Sequence, residues 1–213
     1  MGLTFDIGRR IELVPMDPFF HNIAIGLYLQ RREQAVEFMV HTYSRREGAE
    51  QRMESIAKAM MILGGMEFVS GAPRLLRFPC GVDHKLACRR VFLEACKLDL
   101  SNPVTVRSLS ILDKKSNRNI TVISLGKGIY QLTADGEEQD KSSRISAVAG
   151  GLIKLGDMQS IGDGFDQIAF SCGHVHDAVL GLLLVRALNV RAVLREQEMA
   201  ATRGILVAPS AQK

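Results

Sequence analysis

Sliding the chain by 92 positions lays Arg52–Asp99 on Arg144–Arg191 without a gap. Ten of the 48 aligned positions are identical: Arg52/Arg144, Ala57/Ala149, Leu63/Leu155, Gly64/Gly156, Met66/Met158, Phe78/Phe170, Cys80/Cys172, Gly81/Gly173, His84/His176 and Ala95/Ala187. Chance at this composition gives about three. Other positions exchange one aliphatic side chain for another, as in Ile56/Val148 and Leu76/Ile168. Upstream the likeness continues with small insertions, Met16-Asp17 against Leu112-Asp113 and Asn22–Ile25 against Asn119–Val122. A repeat of roughly ninety residues, long enough to be a supersecondary unit with an apolar face of its own, confines the fold to two similar halves related by a local twofold.

The hydrophobic periods set the elements of each half. Ile23, Ile25, Leu27 and Leu29 alternate with other residues, a polar turn follows at Arg31–Gln34, and Val36, Phe38 and Val40 alternate again, which predicts a hairpin. Gly48–Leu63 carries Met53, Ile56, Ala57, Met60 and Met61 as a helical stripe ended by Gly64-Gly65. A strand near Leu75–Phe78 runs into Pro79-Cys80-Gly81, and a second helix spans Asp83 to Leu98. The second half predicts strands at Ser108–Leu112, Ile120–Leu125 and Ile129–Thr133, a flexible polar insertion at Asp135–Ser142, helix Ser143–Leu155, strand Gln167–Phe170 and helix Val175–Val190. The expected class is α+β, a duplicated β-β-β-α-β-α unit with pseudo-twofold symmetry and a mixed or mainly antiparallel sheet. Residues 1–101 form the first repeat, 102–191 the second, and 192–213 a C-terminal extension, helical over Arg191–Ala201 and extended over Gly204–Pro209. The short link Asp99–Pro103 favours one compact body over two beads.

The repeat register selects two of the four cysteines and two of the five histidines and sets them in Cys-Gly-x-x-His pairs, Cys80/His84 and Cys172/His176. Each Cys ends a strand, each Gly allows a tight turn, and each His enters the first turn of a helix, where unpaired amides and the positive dipole end favour a thiolate or an anion. The second copy adds His174 and Asp177 where the first has Val82 and Lys85, so it is the richer in chemistry.

Three readings of these residues stand side by side. As metal ligands, Cys80, His84, Cys172 and His176 would converge as the two-Cys, two-His tetrahedron that zinc or another divalent transition metal takes, or Cys172, His174 and His176 would bind alone with an open position. As a thiol site, Cys172 would be a nucleophile with His174 or His176 beside it and Asp177 orienting the imidazole, making Cys172, His176 and Asp177 the catalytic set. In the third reading each Cys packs as a small apolar side chain and each His caps its helix or bonds in the core. Phe170, Gly173-His174 and Gly181 resemble the Gly-His motif of the E-type formylmethanofuran dehydrogenase family, whose members bind metal. The resemblance spans about a dozen residues, needs an indel and lacks that motif's Cys-Pro. Cys88 and Cys96 face Leu180 and Leu188 in the other copy and read as core; His21 and His41 have no counterpart His; Arg89, Arg90 and Arg186 read as solvated.

Composition narrows the function classes. Hydrophobic content of 46% with 23% charge is ordinary for a folded soluble chain, and 27 basic against 23 acidic residues, mostly interspersed, leave no concentrated basic face for nucleic acid. With no Trp and three Tyr, base stacking has few candidates. Neither Gly126-Lys127-Gly128 nor Gly162-Asp163-Gly164 follows a nucleotide-binding order. The first residues lack a secretory pattern and a myristoylation site, the longest apolar run, Ala178–Val185, is short for a membrane span, and four cysteines in that setting read as free thiols or ligands. The expectation is a cytoplasmic small-molecule enzyme with a metal or thiol site at the start of a helix, without nucleic-acid or membrane partners and forming a homo-oligomer. The alternative is a non-catalytic oligomeric binding or assembly protein in which the same Cys and His residues are structural.

Overall fold

A computed structural model of the chain describes residues 8–20, 23–32, 35–98, 112–113 and 118–188. It is an α+β protein. Arg9–Val14 (β1), Ile25–Arg32 (β2) and Ala35–His41 (β3) form a meander, followed by helix Ala49–Gly64 (α1), strands Glu67–Val69 (β4) and Ala72–Arg77 (β5), and helix Lys85–Ala95 (α2). The second half runs Leu112–Asp113 (β6), Arg118–Gly126 (β7), Ile129–Ala134 (β8), Glu138–Gly156 (α3), Met158–Ser160 (β9), Gln167–Phe170 (β10) and Asp177–Ala187 (α4). The two five-stranded sheets have the same order, β1-β2-β3-β5-β4 and β6-β7-β8-β10-β9, and every pairing is antiparallel.

The unit differs from expectation by one strand. β4 and β9 are three residues each, too short to show alternation in sequence, and each forms a hairpin with the strand after it. The polar stretch expected as a loop is also shorter, because α3 begins at Glu138: Glu138 and Asp140 sit in its first turn, where acidic side chains suit the positive end of the helix dipole. The extension after residue 191 and Ser108–Ile111 lie outside the described residues.

The 92-residue register recurs in three dimensions. α2 and α4 begin and end at equivalent positions, and their buried sets coincide: Ala87, Cys88, Val91, Phe92 and Ala95 against Val179, Leu180, Leu183, Leu184 and Ala187. Gly64 and Gly156 mark the same close helix approach, where a Cβ would meet Val91 Cγ1 at 3.0 Å in one half and Leu183 Cδ1 at 2.4 Å in the other. Phe38 pairs with Leu76 as Tyr130 pairs with Ile168, so the gapless register reaches back into β3 and β8. The helices of the halves meet, α1 with α4 and α2 with both α3 and α4, and buried side chains of both halves belong to one hydrophobic cluster.

Contacts between the halves follow the rule of a twofold, on which a residue meets its own copy. His84 faces His176, and Glu94 is bonded to Arg186, its equivalent 92 positions on, with opposite charges where strict symmetry would place like ones. Off the axis, contacts come in reciprocal pairs. Leu86 donates its N–H to the Asp157 carboxylate at 2.9 Å, and the equivalent Gly65 lies against Ala178. Gly65 and Asp157 both end their helices in the left-handed conformation, which Asp tolerates better than most side chains.

Candidate metal centre

The two Cys-Gly-x-x-His turns are built alike. Phe78 and Phe170 anchor them in the core, the Gly81 and Gly173 amides bond back to the carbonyls of Phe78 (2.9 Å) and Phe170 (3.1 Å), and both glycines hold φ 70. That left-handed turn needs glycine and brings the chain round into α2 or α4, with His84 or His176 as N-cap residue. Each turn rests on its own meander. Val36 donates to the Gly81 carbonyl at 3.1 Å in the first half, and in the second Phe170 donates to the Gly128 carbonyl at 3.1 Å.

Within each turn the Cys sulfur lies 3.2 Å from the His Nε2 four residues on. The twofold then brings the turns together: one ligand atom from each of Cys80, His84, Cys172 and His176 lies within 4.8 Å of the other three. Among the described residues this is the group of His, Cys, Asp and Glu side chains placed to hold a metal ion. The edges of a tetrahedron with Zn–S of about 2.3 Å and Zn–N of about 2.0–2.1 Å are about 3.3–3.8 Å, so an ion would draw the widest pair in by roughly 1 Å.

The rest of the environment is apolar on one side and open on the other. Phe78 meets His84 and His176 edge-on, with ring centroids 5.2 and 5.6 Å away, and Phe170 meets the same two rings at 5.6 and 4.9 Å. Both imidazoles are buried, at 1% and 7% exposure, while Cys80 and Cys172 are half-buried. Burial holds both imidazoles in the neutral, ligating form: it lowers His84 and, with His84 and His174 nearby, brings His176 down to about 4. Burial likewise pushes the Cys80 thiol up to about 11, so without an ion it is protonated at neutral pH. Each sulfur also faces the backbone N–H two residues on, that of Val82 at Cys80 and that of His174 at Cys172 (3.3 Å), donors suited to a thiolate. His84 Nδ1 is buried with no hydrogen-bond partner, so the outer-sphere acceptor that commonly orients a ligating imidazole is missing there.

His174 and Asp177 stand apart from the four. His174 is exposed and its Nδ1 lies 3.0 Å from the Cys172 carbonyl oxygen. The Asp177 carboxylate accepts from the Tyr130 hydroxyl at 3.2 Å and makes no hydrogen bond to the His176 ring among the described contacts. The Tyr130 hydroxyl in turn accepts the His176 backbone N–H at 2.8 Å, so Asp177 reaches His176 through the backbone and not through its imidazole. Tyr130 was not visible as a site residue from sequence; its equivalent, Phe38, has no hydroxyl. Gly128 is the other addition. A Cβ on it would sit 2.6 Å from the His174 carbonyl oxygen, so its bareness lets the β7–β8 turn lie against the Cys172 turn.

Cys88 and Cys96 are core residues, as expected, and burial drives their thiols up, Cys96 to about 12. Arg89 and Arg186 are ion-paired with Glu12 and Glu94. Among the described residues no helix is long and apolar enough to cross a membrane. No protein-family model, curated protein or solved structure matches this chain. Fold and site therefore define it by themselves: an α+β protein whose halves bring a Cys2His2 group together.

Proposed function

We propose that this chain is a zinc-binding protein in which one ion, held by Cys80, His84, Cys172 and His176, joins two halves descended from a single duplicated unit. The observation that carries the reading is the convergence of one Cys and one His from each half within 4.8 Å. Two thiolates and two neutral imidazoles are a donor set that zinc takes as a closed tetrahedron, and four protein ligands leave no position for substrate. The role supported best is therefore that of a structural staple in a non-catalytic binding or assembly protein. An enzyme built on these ligands would need one of them to leave the ion, and the half-exposed Cys172 edge beside His174 is where that would occur. Because one chain supplies all four ligands, the site needs no second copy. Four free cysteines suit a reducing compartment such as the cytoplasm.

Metal content tests this. The purified protein is expected to carry one zinc per chain and to lose thermal stability when a chelator removes it. Absence of metal, or zinc retained at full occupancy in the folded Cys80→Ser/Cys172→Ser double variant, would overturn the assignment.

A further inference from the structure

The four ligands are unevenly sheltered. The imidazoles are sealed beneath Phe78 and Phe170, and the two sulfurs form the side of the cluster that solvent reaches. Those sulfurs come from opposite halves and lie within 4.8 Å of each other, while the remaining two cysteines, Cys88 and Cys96, are buried at 0% and 3% exposure. The chain thus has one adjacent, accessible thiol pair and one inaccessible set.

We infer that Cys80 and Cys172 are a site of oxidative modification, closing to a disulfide across the twofold when a hydroperoxide reaches the cluster and releasing the ion; the ion release rests on the zinc reading above. Coordination keeps both sulfurs as thiolates, the nucleophilic form. One thiolate attacks the peroxide, forming an S–O bond as the O–O bond breaks, and leaves a sulfenic acid and hydroxide, which takes up a proton to become water. The second thiolate attacks the sulfenic sulfur, forming the S–S bond as the S–O bond breaks, and the departing hydroxide is protonated to a second water. Two thiolates are oxidised by two electrons, one peroxide is reduced, and two protons are consumed. The sulfurs must close to about 2.05 Å, which side-chain rotation at two turn residues can accommodate more readily than movement of a helix. Two imidazoles alone then hold the ion poorly. The strands, helices and phenyl floor need not move, so the halves stay joined by a covalent bond in place of a coordinate one.

The test uses hydrogen peroxide on two samples of the full chain, one zinc-loaded and one metal-free and reduced, followed by zinc release, thiol titration and peptide mapping. The expected result is loss of two of the four thiols in both samples, an intrachain Cys80–Cys172 link, and one zinc released per link formed in the loaded sample. Reduction with dithiothreitol should restore zinc binding. Stable sulfinic acid on a single cysteine, links between chains, or a link involving Cys88 or Cys96 would overturn the inference, as would zinc loss without a link. If zinc fails to load at all, the zinc reading fails, while the metal-free sample still decides whether Cys80 and Cys172 form the link.

Discussion

Substituting alanine for Gly128 and, separately, for Gly126 isolates what the β7–β8 turn does for the metal centre. Both glycines have positive φ, 71 and 83, so either substitution carries a backbone cost of about 1–2 kcal/mol. They differ in what the new methyl meets. At Gly126 nothing lies within 4 Å, whereas at Gly128 the Cβ would sit 2.6 Å from the His174 carbonyl oxygen and 3.0 Å from its amide nitrogen. Backbone atoms cannot turn away as a side chain can, so the Cys172–His174 turn must shift, at about 1–3 kcal/mol for an overpacked site. Gly128→Ala should therefore lose about 2–5 kcal/mol, or roughly 4–20 °C in melting temperature for a chain of this size, against roughly 2–8 °C for Gly126→Ala. Because the displaced turn carries a ligand, zinc affinity measured by competition with a chromophoric chelator should fall at least about tenfold in Gly128→Ala, equivalent to about 1.4 kcal/mol, and stay unchanged in Gly126→Ala. Equal melting losses with unchanged affinity in both variants would refute the argument.

Tyr130→Phe restores the residue that the first half carries at Phe38, so the ring fits, but it leaves the His176 N–H without its acceptor; calorimetry should show a loss of about 1–3 kcal/mol with weaker zinc binding, and an unchanged protein would contradict the role given to the hydroxyl. Arg52→Met would strand the fully buried Asp17 and release the Cys96 and Leu98 carbonyls, costing about 3–5 kcal/mol in urea unfolding. At the equivalent position, Arg144→Met, where the half-exposed side chain bonds the Asp135 carbonyl, about 0.5 kcal/mol is expected, and similar losses at both positions would refute the distinction. In the metal-free protein His84 and His176 titrate below their ordinary value of 6.5, so the unfolded chain binds protons first. Their contribution is complete above pH 6.5 and is lost as pH falls toward 4, a slope that His176→Gln should flatten in urea midpoints measured against pH. A midpoint that rises with acidification over that range would contradict it.

The helices and the motif were legible because their signals are local. A 3.6-residue apolar stripe ending in glycine sets the end of α1 within a residue, and the positions that α2 and α4 bury were already paired by the repeat. β4 and β9 were not legible, since three residues carry no period, and the start of α3 was hidden because a polar run reads as loop until its acidic residues are placed at a helix start. The Cys and His candidates could be named, but choosing among the readings needed the geometry between halves. His174 and Asp177 make the second copy chemically richer in sequence, yet the twofold gathers the residues that both copies share, because those are the ones lying on its axis. Tyr130 and Gly128 escaped notice for another reason: the hairpin turns before β3 and β8 differ in register, which breaks the alignment just upstream of the place where Phe38 and Tyr130 would have paired.

X-ray absorption at the zinc edge of the purified protein tests the central claim most directly. A closed site shared by the halves predicts two sulfur scatterers at about 2.3 Å and two imidazole nitrogens at about 2.0–2.1 Å, with no oxygen from solvent. A shell with one sulfur, two nitrogens and a light atom from water would instead assign the ion to Cys172, His174 and His176 alone and would contradict the account.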